Sequence, residues 1–450
     1  MSRITVVGAG LSGCEAALVL SRLGHKVKLI DCKPHIFTPA HSNKDFAEVV
    51  CSNSFKSNDL LTASGILKQE MRILNSPLIR MADAFAVPAG GALAVDRALF
   101  SRYVTEMVLK NADIEFVSAL TNEIDKNCPT ILAAGPLIMP SLLSFLERLT
   151  GQSLYFFDAS APIIDGESVD MGYAFVGDRY GKSGDKVSGK GENGDENTNA
   201  GAYINCTLAK DEYAALVDGL IKAEKAIKHE FERGEIFEGC MPIEEMARRG
   251  FDTLRFGPLK PVGLYDESGK RPYALVQLRK ETVAGGMYNM VGFQTNLKFG
   301  EQKRVFSLIP ALKNAEFLKY GVMHRNSYIN APLALNPDLS LKVAPLVFVA
   351  GQLAGVEGYV ESIMCGHIAA LMLDAKLRGV DFVLPKTTVS GSLIGYLSRE
   401  NEDFRPMNAN FGLLPPLEVK IRDKKRRKEE MARRAVEVIE SWRGEGKGRG

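Results

Sequence analysis

The sequence predicts an α/β fold: a Rossmann-like nucleotide-binding domain that is discontinuous in sequence and carries an inserted α+β substrate domain. Three observations predict it. A β-branched run, Ile4 to Val7, leads directly into a glycine loop, Gly8 to Gly13. Cys14 to Leu23 has helical patterning, stops at Gly24, and is followed by a second strand-like run, Val27 to Ile30. Two further apolar runs, Thr130 to Ala134 and Leu346 to Ala350, lie more than two hundred residues apart, and the later one is again followed by glycine and a helical pattern.

Each residue of the loop Gly8-Ala9-Gly10-Leu11-Ser12-Gly13 has a mechanical reason. The first glycine permits the tight turn, the second lets a pyrophosphate approach the backbone, and the third lets the helix pack on the strand. The amides at the helix start then face the phosphates. Asp31 follows Gly8 by 23 residues, close to the spacing at which a carboxylate accepts hydrogen bonds from an adenosine ribose. Such a fingerprint serves NAD and FAD alike. Its position at the very start of the chain, paired with the distant strand end Val349-Ala350-Gly351-Gln352, favours FAD held by both halves of the domain. Flavoproteins of this build commonly carry an acid after that glycine, where this chain has Gln352.

The resulting division is 1–160 for the first part of the FAD-binding domain, 161–325 for the insertion, 326–415 for the second part, and 416–450 for a basic C-terminal helix and tail. Within the insertion, Ala202 to Leu208 and Tyr273 to Leu278 read as strands and Asp211 to Glu232 as a helix. Residues 181–201 hold six glycines and one strong hydrophobe, so burial cannot repay their ordering, and a mobile loop is expected. A basic helix is expected around Lys424 to Ser441.

The formal charge of +2 over 450 residues conceals an asymmetry: residues 420–450 carry twelve Lys/Arg against six Asp/Glu, leaving the remainder four negative. The run Lys424-Lys425-Arg426-Arg427-Lys428, then Arg433 and Arg434, would attract phosphate and points to RNA; a solvated helix with internal ion pairs accounts for it equally well. Lys298, Lys303 and Arg304 could extend the basic face. Seven cysteines without a C-x-x-C pair argue against a disulfide framework or a zinc site and for a reducing compartment, the cytoplasm. The uncharged stretch Asn127 to Phe145 is broken by Pro129, Gly135, Pro136 and Pro140, so no membrane span is expected.

Longer blocks are more specific than any of these patterns. Glu48 to Ser54 (EVVCSNS), Val87 to Asp96 (VPAGGALAVD), Gly239 to Glu244 (GCMPIE), Asp252 to Gly263 (DTLRFGPLKPVG), Val291 to Arg304 (VGFQTNLKFGEQKR), Tyr320 to Asn330 (YGVMHRNSYIN) and Gly351 to Ser362 (GQLAGVEGYVES) resemble the folate- and FAD-dependent tRNA (uracil-5-)-methyltransferase family, collinearly from about residue 3 to about residue 440. Gln352 belongs to that family's own block. The chain departs from the family at a longer 181–201 loop, at Thr207 where proline is common, and at Phe55-Lys56 in place of Leu-Arg.

The resemblance implies C5 methylation of a tRNA uridine, the ribothymidine of the T-loop, with methylenetetrahydrofolate as carbon donor, reduced FAD as carrier and a reduced nicotinamide, NADH or NADPH, as the source of electrons. A ribosomal RNA uridine is the alternative substrate; a flavin oxidoreductase acting on a small molecule and a non-catalytic flavin-bearing RNA-binding protein are the readings from other classes. Uracil C5 is a poor nucleophile until a thiolate adds to C6, so a reactive cysteine is required. By resemblance Cys206 takes the place of that nucleophile, Cys51 that of a second cysteine close to the flavin, and His324 that of a residue stacking a folate pterin. Cys14, Cys32, Cys128, Cys240 and Cys365 are read as structural. Glu357 and Glu361, four residues apart, could share a helix face near the flavin or brace that helix.

Overall fold

In a computed structural model of the chain, Arg3–Val7 lies at the heart of a six-stranded sheet, where Ile4, Val6 and Val7 are buried. The structure describes residues 3–38, 40–151, 154–179, 203–226, 241–266, 268–282, 286–402 and 404–444. The expected loop 181–201 and Cys240 lie outside these residues, as does the end of the helix expected to reach Glu232.

The sheet runs Ser340–Leu341, Ala344–Val349, Thr130–Leu132, Arg3–Val7, Lys26–Asp31, Ile114–Ser118, all neighbours parallel except the first pair. Strands near the start of the chain and strands more than two hundred residues later therefore meet in one sheet, as the strand pattern predicts. Helix Leu11–Arg22 packs along Tyr359–Arg378, whose residues Val360 to Ala375 are all buried. Between the two helices a wholly buried pair, Glu15 and His367, closes at 2.7 Å, while the second Glu15 oxygen accepts the Leu78 amide. Removing Glu15 would leave the buried His367 imidazole without this partner.

A second six-stranded, antiparallel sheet is built from strands between Ile163 and Lys319, in the order Ala174–Val176, Tyr203–Leu208, Ala274–Lys280, Met287–Met290, Ile163–Asp165, Phe317–Lys319. It has its own core, packed against helix Lys210–Lys222 and helix Phe299–Phe306. A two-stranded ribbon, Leu154–Ala159 against Met323–Tyr328, carries the chain into and out of this region. Within the described residues the helix expected from Asp211 ends at Lys222, where Ala223 turns extended.

The basic helix spans Lys424–Gly444 and is docked rather than free. It buries Met431, Ala432, Ala435, Ile439 and Trp442, the last donating its indole N–H to Val383 O at 2.9 Å. Lys424 to Arg427 stay exposed on its outer end. Lys298 and Arg304 are engaged by Glu224 and Glu301, which leaves Lys303 as the exposed cation of that trio without an ion pair among the described residues. No described helix is long and apolar enough to cross a membrane.

Candidate active site

The glycine loop works by exclusion. Gly8 has φ +104°, and a Cβ there would stand 2.3 Å from Ala133 O; a Cβ at Gly13 would stand 1.8 Å from Gly8 O. Strand, loop and helix can thus close on one another only with glycine at both positions. Helix Leu11–Arg22 begins at Gly10 with no side-chain cap and no acid in its first turn. The Ser12 hydroxyl beside that start is buried with no hydrogen-bond partner among the described residues. Bare helix-start amides and an unsatisfied hydroxyl fit a diphosphate. Asp31 is aimed at the same place, accepting the Ala9 amide at 2.6 Å and the Lys33 amide at 2.8 Å. This end fits the ribose and diphosphate of a dinucleotide such as FAD.

From here one cavity of about 390 Å³, a size usual for cofactor sites, extends between the two halves of the domain to the ribbon. Of the residues singled out in the sequence, Gly8, Ala9, Gly10, Leu11, Ser12, Asp31, Gly351, Gln352, Cys51 and His324 line it. Gly13 stands behind the loop, where its role is packing. Gln352 reaches across the floor, donating from Nε2 to Glu357 Oε2 at 2.6 Å. Burial, then the nearby Asp158 charge, raises the Glu357 carboxyl above the usual carboxylate range. Glu361 is fully buried, holding Lys56 at 2.8 Å and the Ala409 amide at 3.1 Å. It braces the start of its helix.

Cys51 sits on a half-buried loop that both domains clamp. Arg97 donates to the carbonyls of Val49 and Val50 and pairs with Glu281 of the second region. Arg279, from the second sheet, donates to Asn53 Oδ1 at 2.8 Å and Ser52 Oγ at 2.7 Å. The Cys51 sulfur lies 3.5 Å from Asp158 Oδ2, and the Cys51 amide donates to the Tyr359 hydroxyl at 2.8 Å. The ribbon register sets Asp158 opposite His324 and turns Asn326 to the same cavity wall. Burial first, then Lys319 and His41, push the His324 imidazole down to about 4. It is therefore a neutral, flat ring at neutral pH, suited to stacking.

Cys206, expected as the nucleophile, is not brought to this cavity. It lies in the strand Tyr203–Leu208 with 0% exposure, its side chain in the second core with Ile204 and Leu208, and burial pushes its thiol up to about 12. Strand alternation is the reason: Asn205 and Tyr203 point to the opposite face, where Asn205 bonds Gln277 and Tyr203 reaches Ala89 O. The sulfur does not meet the cavity. Cys14 and Cys365 are buried packing groups, whereas Cys32 lines the nucleotide end of the cavity. Sequence reasoning missed Asp158, Asn326, Tyr359 and Arg279. Asn326 and Tyr359 lie inside the blocks that carry the family resemblance, and Asp158 is a lone acid in an apolar strand.

The chain as a whole is similar to known proteins. A sequence model of the family described as Glucose inhibited division protein A matches residues 3–381. The chain is 50% identical over 443 residues to the methylenetetrahydrofolate–tRNA-(uracil-5-)-methyltransferase TrmFO of Acetivibrio thermocellus, covering 98% of each chain. It is 49% identical to the protein of the same name from Pelotomaculum thermopropionicum, again over 98% of both. Its fold is similar to that of Aquifex aeolicus GidA, with a TM-score of 0.66 at 14% identity over 98% of this chain and 73% of the other.

Proposed function

Because this chain belongs to the Glucose inhibited division protein A family, and within it to the methylenetetrahydrofolate–tRNA-(uracil-5-)-methyltransferases, we propose that it methylates C5 of a tRNA uridine, the T-loop position, with methylenetetrahydrofolate as carbon donor. The observation that carries the proposal is the single cavity joining an uncapped helix start and Asp31 at one end to Cys51, Asp158 and His324 at the other. The ribosomal RNA alternative has no support among these relatives, which are named for tRNA.

In this reading Gly8 to Ser12 and Asp31 hold the adenosine diphosphate of FAD, and Gly351 and Gln352 its remaining half. Bound FAD supplies one-carbon and electron transfer between folate and uracil. His324, neutral and on the wall, stacks the pterin. Cys51 is the thiol offered to the nucleobase: as thiolate it adds to C6, so that electron density builds at C5. Electrons arrive from NADH or NADPH out of solution, and the exposed cations Lys303 and Lys424 to Arg427 attract the tRNA backbone. Such chemistry belongs in the cytoplasm, where tRNA and folates are found together.

The test is incubation of the flavin-loaded protein with tRNA, labelled methylenetetrahydrofolate and a reduced nicotinamide. Label is expected in 5-methyluridine. Label arriving from S-adenosylmethionine instead, or turnover of a small molecule with neither folate nor RNA present, overturns the assignment.

A further inference from the structure

The hydroxyl of Tyr359 receives two backbone N–H groups, from Cys51 at 2.8 Å and from Ser52 at 3.2 Å. A phenol oxygen has two acceptor positions and one proton. With both positions filled by the amides of Cys51 and Ser52, the phenol proton points away from them, on the residue that the Cys51 backbone itself holds in place. On its other side the same sulfur lies 3.5 Å from Asp158 Oδ2, which also receives Asn326 Nδ2 at 3.4 Å. The sulfur thus has a carboxylate placed to take its proton, and its own backbone amide is bound to a phenol that still has a proton to give.

Charged and titratable neighbours surround Cys51: Asp158 from the ribbon, Glu357 and Tyr359 from the start of helix Tyr359–Arg378, and Lys319 from the edge of the second sheet, while Arg97 holds the Val49 and Val50 carbonyls and faces Tyr359. Burial, then Asp158 and Glu357, raise the thiol well above its ordinary value, and the Tyr359 hydroxyl opposes them. The resting sulfur is therefore protonated. Reaction needs a local route for the proton and a partner for the charge left behind.

We propose that Asp158 and Tyr359 are the positioning residues that convert Cys51 between thiol and thiolate, Asp158 Oδ2 accepting the sulfur proton and the Tyr359 hydroxyl donating to the thiolate. The S–H bond breaks, an O–H bond forms on the carboxyl group, and the negative charge moves from oxygen to sulfur with no change of oxidation state. The amides of Cys51 and Ser52, by donating to the phenol oxygen, polarise its O–H toward the sulfur. Tyr359 is also the first residue of its helix, so the charge forms at the positive end of the helix dipole.

This inference rests on the functional reading above, but its thiol chemistry is tested without it, by following alkylation of Cys51 with iodoacetamide as a function of pH in the full-length flavoprotein, using peptide mass spectrometry. Tyr359→Phe is expected to move the alkylation midpoint up by about one pH unit, the worth of one charge-assisted hydrogen bond. Site-specific 3-fluorotyrosine at position 359, a stronger donor, is expected to move it down, which keeps the test decisive if the phenylalanine variant folds poorly. Asp158→Asn removes a neighbouring negative charge and is expected to lower the midpoint, yet to slow methyl transfer at neutral pH about a hundredfold, with recovery at alkaline pH. A merely structural role would not separate these two readouts. An unchanged midpoint in both Tyr359 variants, or undiminished methyl transfer in Asp158→Asn, overturns the proposal. Shifted midpoints in a protein that transfers no methyl group would uphold the proton relay and sink the methyltransferase reading alone.

Discussion

Cys51 and Cys206 show how two cysteines that resemblance treats as a catalytic pair come to opposite fates. Cys51 is on a loop, so its direction is set by whatever holds the loop: Arg97, Arg279 and the Tyr359 hydroxyl all pull it to the cavity wall. Cys206 is on a central strand between Ala174 and Val276, so its direction is set by alternation. There every second side chain must enter the core, and Cys206 is one of these. A strand residue becomes accessible only on the other face, whereas a loop residue can be aimed.

The comparison breaks most visibly by mutation of the two sulfurs. Cys51→Ala is expected to cost at least about a thousandfold in methyl transfer, as loss of a nucleophile does, while Cys206→Ala leaves the rate per folded molecule unchanged and costs roughly 1 kcal/mol of stability. Rates with labelled folate and a urea titration check both. A dead Cys206→Ala protein of wild-type stability would return the nucleophile to the second region.

Loosening the clamp gives a smaller effect. Arg279→Ala leaves Ser52 and Asn53 without their guanidinium donor, and about 1–3 kcal/mol of stability should go with it. Methyl transfer should fall about tenfold through kcat, because the Cys51 loop is then less well held. An unchanged kcat would mean that Arg97 and Tyr359 suffice.

His324 sharpens the contrast through pH. Its folded-state value of about 4 lies below the ordinary 6.5, so its contribution to stability is complete above 6.5 and is lost as pH falls toward 4, at most roughly 3 kcal/mol. His324→Phe should flatten the fall in the urea midpoint across that window. The same fall in the variant would assign it to other groups. The smallest effect is expected at the helix end: Lys424→Ala with Lys425→Ala should weaken tRNA binding uniformly and reduce its salt dependence by about one to two counterions, read from binding isotherms at several salt concentrations.

The nucleotide half of the site was legible in sequence because it is local. One turn, one helix start and one acid carry it, and each has a residue requirement that shows at fixed spacing: Gly8, Gly13 and Asp31 are all where the spacing puts them. The reacting half was not legible in this way. Asp158 is 107 residues from Cys51 and Tyr359 is 308, and no periodicity links positions so far apart. The likeness of whole blocks pointed to Cys51 and His324 but equally to Cys206, because likeness carries no direction for a side chain.

The sequence by itself determined that the chain is α/β, that its first sheet draws strands from both ends, that a dinucleotide loop opens it, and to which family it is similar. Tertiary structure alone decided which of two cysteines meets the cavity, which acid and phenol attend it, and that the basic helix is anchored by Trp442 rather than loose. The reason is that backbone preferences and side-chain periods are short-range, so they are written in neighbouring residues. The face of a strand that becomes interior, and the partners that meet across a cavity, follow from packing two cores together.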